Sequence, residues 1–364
     1  MKSLNTSYFS RLDHLRFFAA ALVLLHHFRG KISLSAITEV NLTNYIEYMF
    51  SFWAINGSTG VSLFLFLTGF LFCTISDYGR KKINYAGFVY NRVLRIFPLL
   101  IVIIFIVITM SRSESTPMDI FRVITLQLNT GSPHASWAQK FYPAAPIWTI
   151  GVEFQFYLIF PFLALFLSKY GSRYLALLIV LMISIRYNME VLSSKPMYTD
   201  FYHSIIGRMD QFLVGMLFAV WVNKGYFNWL KNKFIAVFFS LLVFFVLMYA
   251  LPFRAKVSYT YIHFTVEAIL WGVIVVAYFL VDIKIPRLLD LLFSKLGEIS
   301  FSIYLLHLPI GMMLSKSLSL VPPQNISELC FQFLFKLIVT IIVSFITFYT
   351  IEKPFMSLRV KYTK

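Results

Sequence analysis

Apolar runs about 20 residues long recur along the whole of this 364-residue chain, and no other feature restricts its fold as strongly. They lie at about 12–28, 56–76, 92–110, 148–168, 172–188, 205–223, 233–251, 262–281, 297–316 and 330–351. About 20 apolar residues in an α-helix cross the hydrocarbon core of a bilayer. Backbone in hydrocarbon must satisfy its hydrogen bonds internally, so such runs read as helices rather than loops or open strands. The expected fold is all-α: a polytopic membrane protein, a bundle of about ten transmembrane helices forming a single integral-membrane domain over 1–364. The segment 119–130 is shorter and more polar, and reads as an interfacial helix or loop. The chain is 59% hydrophobic, with 40 Phe and only 13% charged residues. Soluble domains hold roughly 45–50% apolar residues, so little is left here for a soluble unit.

The net charge of +16 would suit nucleic acid, but no basic run with interleaved aromatics lies in a soluble segment. Basic residues instead crowd the cytoplasmic loops of membrane proteins. With the N-terminus inside, about 20 of the 32 Lys and Arg fall in inner segments, which predicts both termini in the cytoplasm of a cell inner (plasma) membrane. The first apolar stretch ends in His26-His27-Phe28-Arg29 with no small-residue cleavage site, so it does not read as a signal peptide. Cys73 and Cys330 sit in apolar runs as packing residues, and no Cys/His cluster points to a metal. The segment 111–147 carries Pro117, Gly131, Pro133, Pro143 and Pro146 and reads either as a substrate entrance or as a mobile loop.

An ionisable residue inside a span costs a few kcal/mol, so each is a functional candidate. Arg16 and His27 are 11 residues apart, about 20° past three helical turns and roughly 16 Å along the axis, so they share a face of the first helix. Asp13 is spaced to pair with Arg16. The alternative is an arginine snorkelling to the interface and two interfacial histidines. Arg92 and Arg95 share a face at the start of the third span, either as a phosphate fork or as a positive-inside flank. Glu153 lies just inside the fourth span, with Trp148 before it and Tyr157 after it. In the outer half it can meet His27, and a carboxylate there would orient the imidazole and raise its basicity. Otherwise Glu153 faces water. His307 lies near the middle of the ninth span, either functional or in a helix–helix hydrogen bond. His26 points about 100° away from His27 and reads either as packing, the favoured reading, or as a helper.

Taken together, these segments resemble the membrane acyltransferase-3 family, the integral-membrane O-acyltransferases of bacterial surface carbohydrates. Arg16 and His27 fall in the two key positions of its opening Arg-x10-His signature. Gly60 to Leu71 resembles its glycine-bounded second helix, and Arg92-xx-Arg95-Ile96-Phe97-Pro98 its RxxR motif. Trp148 to Tyr157 resembles its Trp-Ser-Leu-x-x-Glu-x-x-Phe-Tyr segment, with Thr149 in place of Ser. Gly207-Arg208-Met209-Asp210, Tyr304-xx-His307 and Ile351-Glu352-Lys353-Pro354 also fit. The order and spacing carry the resemblance, which covers nearly the whole chain.

The resemblance implies acetyl-CoA or another acyl-CoA as donor, a carbohydrate or glycolipid acceptor in the membrane lipid's company, and no metal. It implies that His27 is catalytic and that Arg92 and Arg95 bear on acyl-CoA binding. Members with an added extracytoplasmic hydrolase-like domain carry it after the last helix, and the chain is expected to be the form without it. The expected mechanism runs acyl-CoA from the cytoplasm past Arg16 to His27, which Glu153 orients. His27 then takes a proton from a sugar hydroxyl, or carries the acyl group covalently. The rival is an exporter of a sugar or lipid precursor, its polar residues defining a path. An acyltransferase is expected to bind or slowly hydrolyse acetyl-CoA when purified, and an exporter to do neither; an acetyl-CoA binding and turnover assay separates them.

Overall fold

The computed structural model describes residues 8–30, 45–110, 116–127, 147–250 and 259–363. Its helices are α1 (Ser10–Phe28), α2 (Tyr45–Asn56), α3 (Gly60–Ile75), α4 (Tyr85–Met110), α5 (Pro117–Ile124), α6 (Ile147–Tyr170) and α7 (Ser172–Leu192). There follow α8 (Ile205–Asn223), α9 (Lys233–Phe245), α10 (Thr260–Leu280), α11 (Arg287–Glu298), α12 (Ser300–Ser317) and α13 (Ile326–Thr347). The protein is an all-α polytopic membrane protein, and every expected run is helical where described.

The number of spans is lower than expected. Among the described residues seven helices are long and apolar enough to cross a bilayer, or eight if α11 and α12, bent by 65° at their junction, make one span. Two expected spans fall short for different reasons. Helix α1 carries Arg11, Asp13 and Arg16 in its first two turns. Helix α9 belongs to a shorter apolar stretch, Lys233–Met248. The segment expected to be interfacial does form a short helix, α5, whose Met118, Phe121 and Ile124 are exposed. Most of the expected loop 111–147 lies outside the described residues.

Small residues set the closest approaches, as they do where helices pack in lipid. A Cβ at Gly69 would collide with the Phe212 carbonyl, and one at Gly215 with the Phe66 carbonyl, so α3 and α8 touch backbone to backbone. A Cβ at Gly297 would strike the Asp13 carbonyl, which fixes α11 against the start of α1. His14 strengthens that contact through Ser294 Oγ at 3.2 Å and also ties α1 to α10 through Tyr278 Oη at 2.7 Å.

Two arginines sealed among these helices have carboxylate partners. Arg186 on α7 lies 2.7 Å from the Asp210 carboxylate on α8 and also donates to Thr265, Gly207 O and Tyr261 O. Arg208 sits between the rings of Phe264 and Tyr202, at 4.0 and 4.2 Å, with Ser62, Gln211 and Glu267 around its guanidinium. Both arginines are fully buried, and removing one partner of such a pair costs about 3–5 kcal/mol.

Gly69→Ala is expected to push α3 from α8 and lower the thermal midpoint of the detergent-solubilised protein. Asp210→Ala should lower it too, by stranding Arg186. Both are read by fluorescence-detected unfolding, with an exposed control such as Leu192→Ala unchanged.

Candidate active site

The helices enclose a cavity of about 900 Å³ on the side of the bundle that holds Tyr8 and Tyr362. Its walls come from α1, α3, α4, α6, α11, α12 and the chain after Met356. Of the residues singled out in the sequence, Asp13, Arg16, Arg92, Arg95, Glu153, Tyr157 and Tyr304 line it. Asp13 and Arg16 pair at 2.7 Å.

Arginines dominate one part of the cavity. Arg92 lies over the rings of Phe72, Phe88 and Tyr157, 5.0–5.8 Å from their centroids. Aromatic faces stabilise the cation without using its N–H groups, and Arg92 Nε has no hydrogen-bond partner. Arg95 is differently placed. It pairs with Glu352 at 3.3 Å and donates to the Glu298 carbonyl, so its charge is largely met within the protein. Glu352 is fully buried and also accepts from Ser302. The expected even fork of Arg92 and Arg95 is therefore unequal.

A third arginine joins them. Arg359, in the chain after the last helix, lines the same cavity, and its Nε is likewise buried without a partner. Burial, and then the charges of Arg92 and Arg95, hold its guanidinium below the ordinary arginine value. Nothing in the local sequence around Arg359 marks it as a cavity residue, because the local sequence does not say that the tail folds back.

Also on the cavity lining, Thr149 Oγ1 donates to Tyr304 Oη at 3.0 Å. One turn along α12 is His307, fully buried and outside the cavity lining. Its Nδ1 is 2.6 Å from the Tyr304 carbonyl. A carbonyl only accepts, so Nδ1 of His307 carries a proton and Nε2 of the neutral ring carries a lone pair. That Nε2 lies 2.9 Å from His27 Nδ1, which must then be the donor. The deduction leaves the lone pair of a neutral His27 on Nε2, the state a general base needs. His27 itself is exposed.

The expectation that Glu153 orients His27 is not met. Glu153 accepts from Thr68 Oγ1 at 3.0 Å and faces the cavity, while the partner at His27 Nδ1 is His307. Helix counting placed both residues in one half of the bundle, but it could not say which way α6 is turned. Several other candidates lie apart from the cavity. His26 Nδ1 donates to the Ile55 carbonyl at 2.8 Å and ties α1 to the end of α2. Trp148 packs on Tyr202 and His203 beside Arg208. Arg208 and Asp210 belong to the buried networks of α8.

Residues 9–349 match the family described as acyltransferase domain, of the acyltransferase-3 type. A protein of Komagataeibacter xylinus named membrane-bound transacylase BcsY is 24% identical over 315 residues, covering 82% of this chain and 72% of the other. No solved structure matches.

His307→Ala should remove the acceptor that fixes the His27 tautomer and slow turnover by about 10²-fold or more with little change in substrate KM. His307→Gln, whose amide oxygen can accept from Nδ1, should restore part of that rate. Equal loss in both variants would argue for a packing role.

Proposed function

The chain belongs to the acyltransferase-3 family, and on that premise we propose that it transfers an acyl group, most simply acetyl, from cytoplasmic acyl-CoA to a hydroxyl of a cell-surface or lipid-linked carbohydrate. The observation that carries this reading is the two-ended arrangement. An arginine-rich cavity opens on the side of the termini and stops at Tyr304, and a hydrogen-bonded His307–His27 pair follows one turn farther on. Buried unpartnered guanidinium N–H groups suit the phosphates of the donor. The apolar cavity wall suits its extended arm and excludes water from the thioester.

In the proposed reaction His27 Nε2 accepts the proton of the acceptor hydroxyl as its oxygen bonds to the thioester carbonyl carbon. The carbon–sulfur bond then breaks, and the CoA thiolate leaves toward the arginine end and takes up a proton from water there, while exposed His27 gives its proton to solvent. His307 acts as a positioning residue, holding the His27 ring and its tautomer. Tyr304 lies between cavity and histidines, so its ring turns aside, giving up the bond from Thr149, to let the acyl group pass. The route makes Arg16 and Glu153 part of the donor's path rather than of the base. Acyl-His27 as a covalent intermediate fits the same geometry. The proposed orientation puts the arginines and both termini in the cytoplasm of the inner membrane, and His27 toward the far side.

Two measurements test the reading. His27→Ala, at matched membrane levels, should leave the surface glycan unmodified by mass spectrometry; wild-type modification would sink the assignment of His27. Arg92→Ala should weaken acyl-CoA binding by about 10- to 100-fold, the scale of one charge-assisted contact, and calorimetry that finds no change removes the donor site from this cavity.

A further inference from the structure

The last described stretch of the chain, residues 357–363, has no helix of its own and is nevertheless firmly placed. Asn91 on α4 grips it from both sides: its Nδ2 donates to the Val360 carbonyl at 2.7 Å, and its Oδ1 accepts from the Val360 N–H at 2.9 Å. Asn84 N–H donates to the Tyr362 carbonyl at 2.8 Å, and Ile83 and Thr363 form an antiparallel bridge. The Tyr362 ring packs edge-on against Phe88 at 5.3 Å. The strap is thus tied across the first turns of α4, the helix that carries Arg92, and its Arg359 lines the same cavity.

Charge accounts for what the strap brings. Arg95 is offset by Glu352, which leaves Arg92 and Arg359 as the two cations without a carboxylate. Each has a buried Nε without a partner. Two like charges beside one cavity repel, and the charges of Arg92 and Arg95 add to the burial that chiefly holds Arg359 below the ordinary arginine value. The matching ligand carries two negative charges on one centre. A phosphomonoester does so near neutral pH, with charge about −1.5 to −2 on three terminal oxygens. A phosphodiester or either phosphate of a diphosphate bridge carries about one.

We propose that Arg359, delivered by the C-terminal strap, and Arg92 form a seat for a phosphomonoester dianion, and that this seat selects donors bearing the 3′-phosphate of coenzyme A over thioesters that lack it. The proposal rests on the acyl-CoA reading above and deepens it, since it assigns selectivity to a residue beyond position 349, where the family match ends.

The test compares binding of coenzyme A and 3′-dephospho-coenzyme A to the purified full chain in detergent by calorimetry. Wild type should prefer coenzyme A by about 10-fold or more. Arg359→Ala should bring the ratio near one while keeping affinity for the dephospho form. Arg359→Lys should keep part of the preference. Asn91→Ala frees the strap with all three arginines intact, and should also lower the ratio, which tests the placement if Arg359→Ala fails to fold. A ratio unchanged in Arg359→Ala, or equal loss for both ligands, overturns the seat while leaving the acyl-CoA reading in place. A wild type that binds neither ligand overturns both.

Discussion

The structure depends on the refusal of lipid to solvate a charge. A bundle with this much apolar surface can hold arginines and carboxylates only where helices bring partners to them, and the partners come from different helices. Arg186 and Asp210 lock α7 to α8, and Arg208 with Ser62 and Glu267 locks α8 to α3 and α10. Arg95 and Glu352 lock α4 to the end of the chain's last long helix. In water such pairs contribute little, but here separating them would strand a charge in a low-dielectric interior. The glycine contacts of α3 with α8 make the same networks reachable, since only a backbone-to-backbone approach sets Ser62 beside Arg208.

Against that background the incompletely satisfied groups stand out. Arg92 and Arg359 keep buried N–H groups unpaired beside the cavity. The terminal oxygens of a phosphate would complete them, which supports the proposed donor site. The histidine pair follows the opposite logic. The Tyr304 carbonyl fixes His307, His307 fixes His27, and the order of donors and acceptors leaves one nitrogen of His27 basic. In the proposed reaction the donor end supplies binding and charge, the histidine end supplies the base, and Tyr304 with Thr149 separates them until the acyl group arrives.

The linear pattern of residues determined much of this. Apolar runs of bilayer length made a polytopic all-α protein the available fold, because about 20 continuous apolar residues satisfy their backbone hydrogen bonds in hydrocarbon as a helix, whereas barrel strands are shorter and alternate in polarity. The helical repeat put Arg16 and His27 on one side of α1, and the spacing of polar residues along nearly the whole chain pointed to the acyltransferase family to which it belongs. The tertiary structure decided what periodicity cannot carry: how each helix is rotated and which neighbour it meets. It turned Glu153 toward Thr68 and gave His27 to His307, a residue 280 positions away. It offset Arg95 with Glu352 and folded the tail back so that Arg359 faces Arg92's cavity. A residue's place along the membrane normal follows from counting along its own helix, whereas its partner follows from packing between helices, which only the assembled bundle specifies.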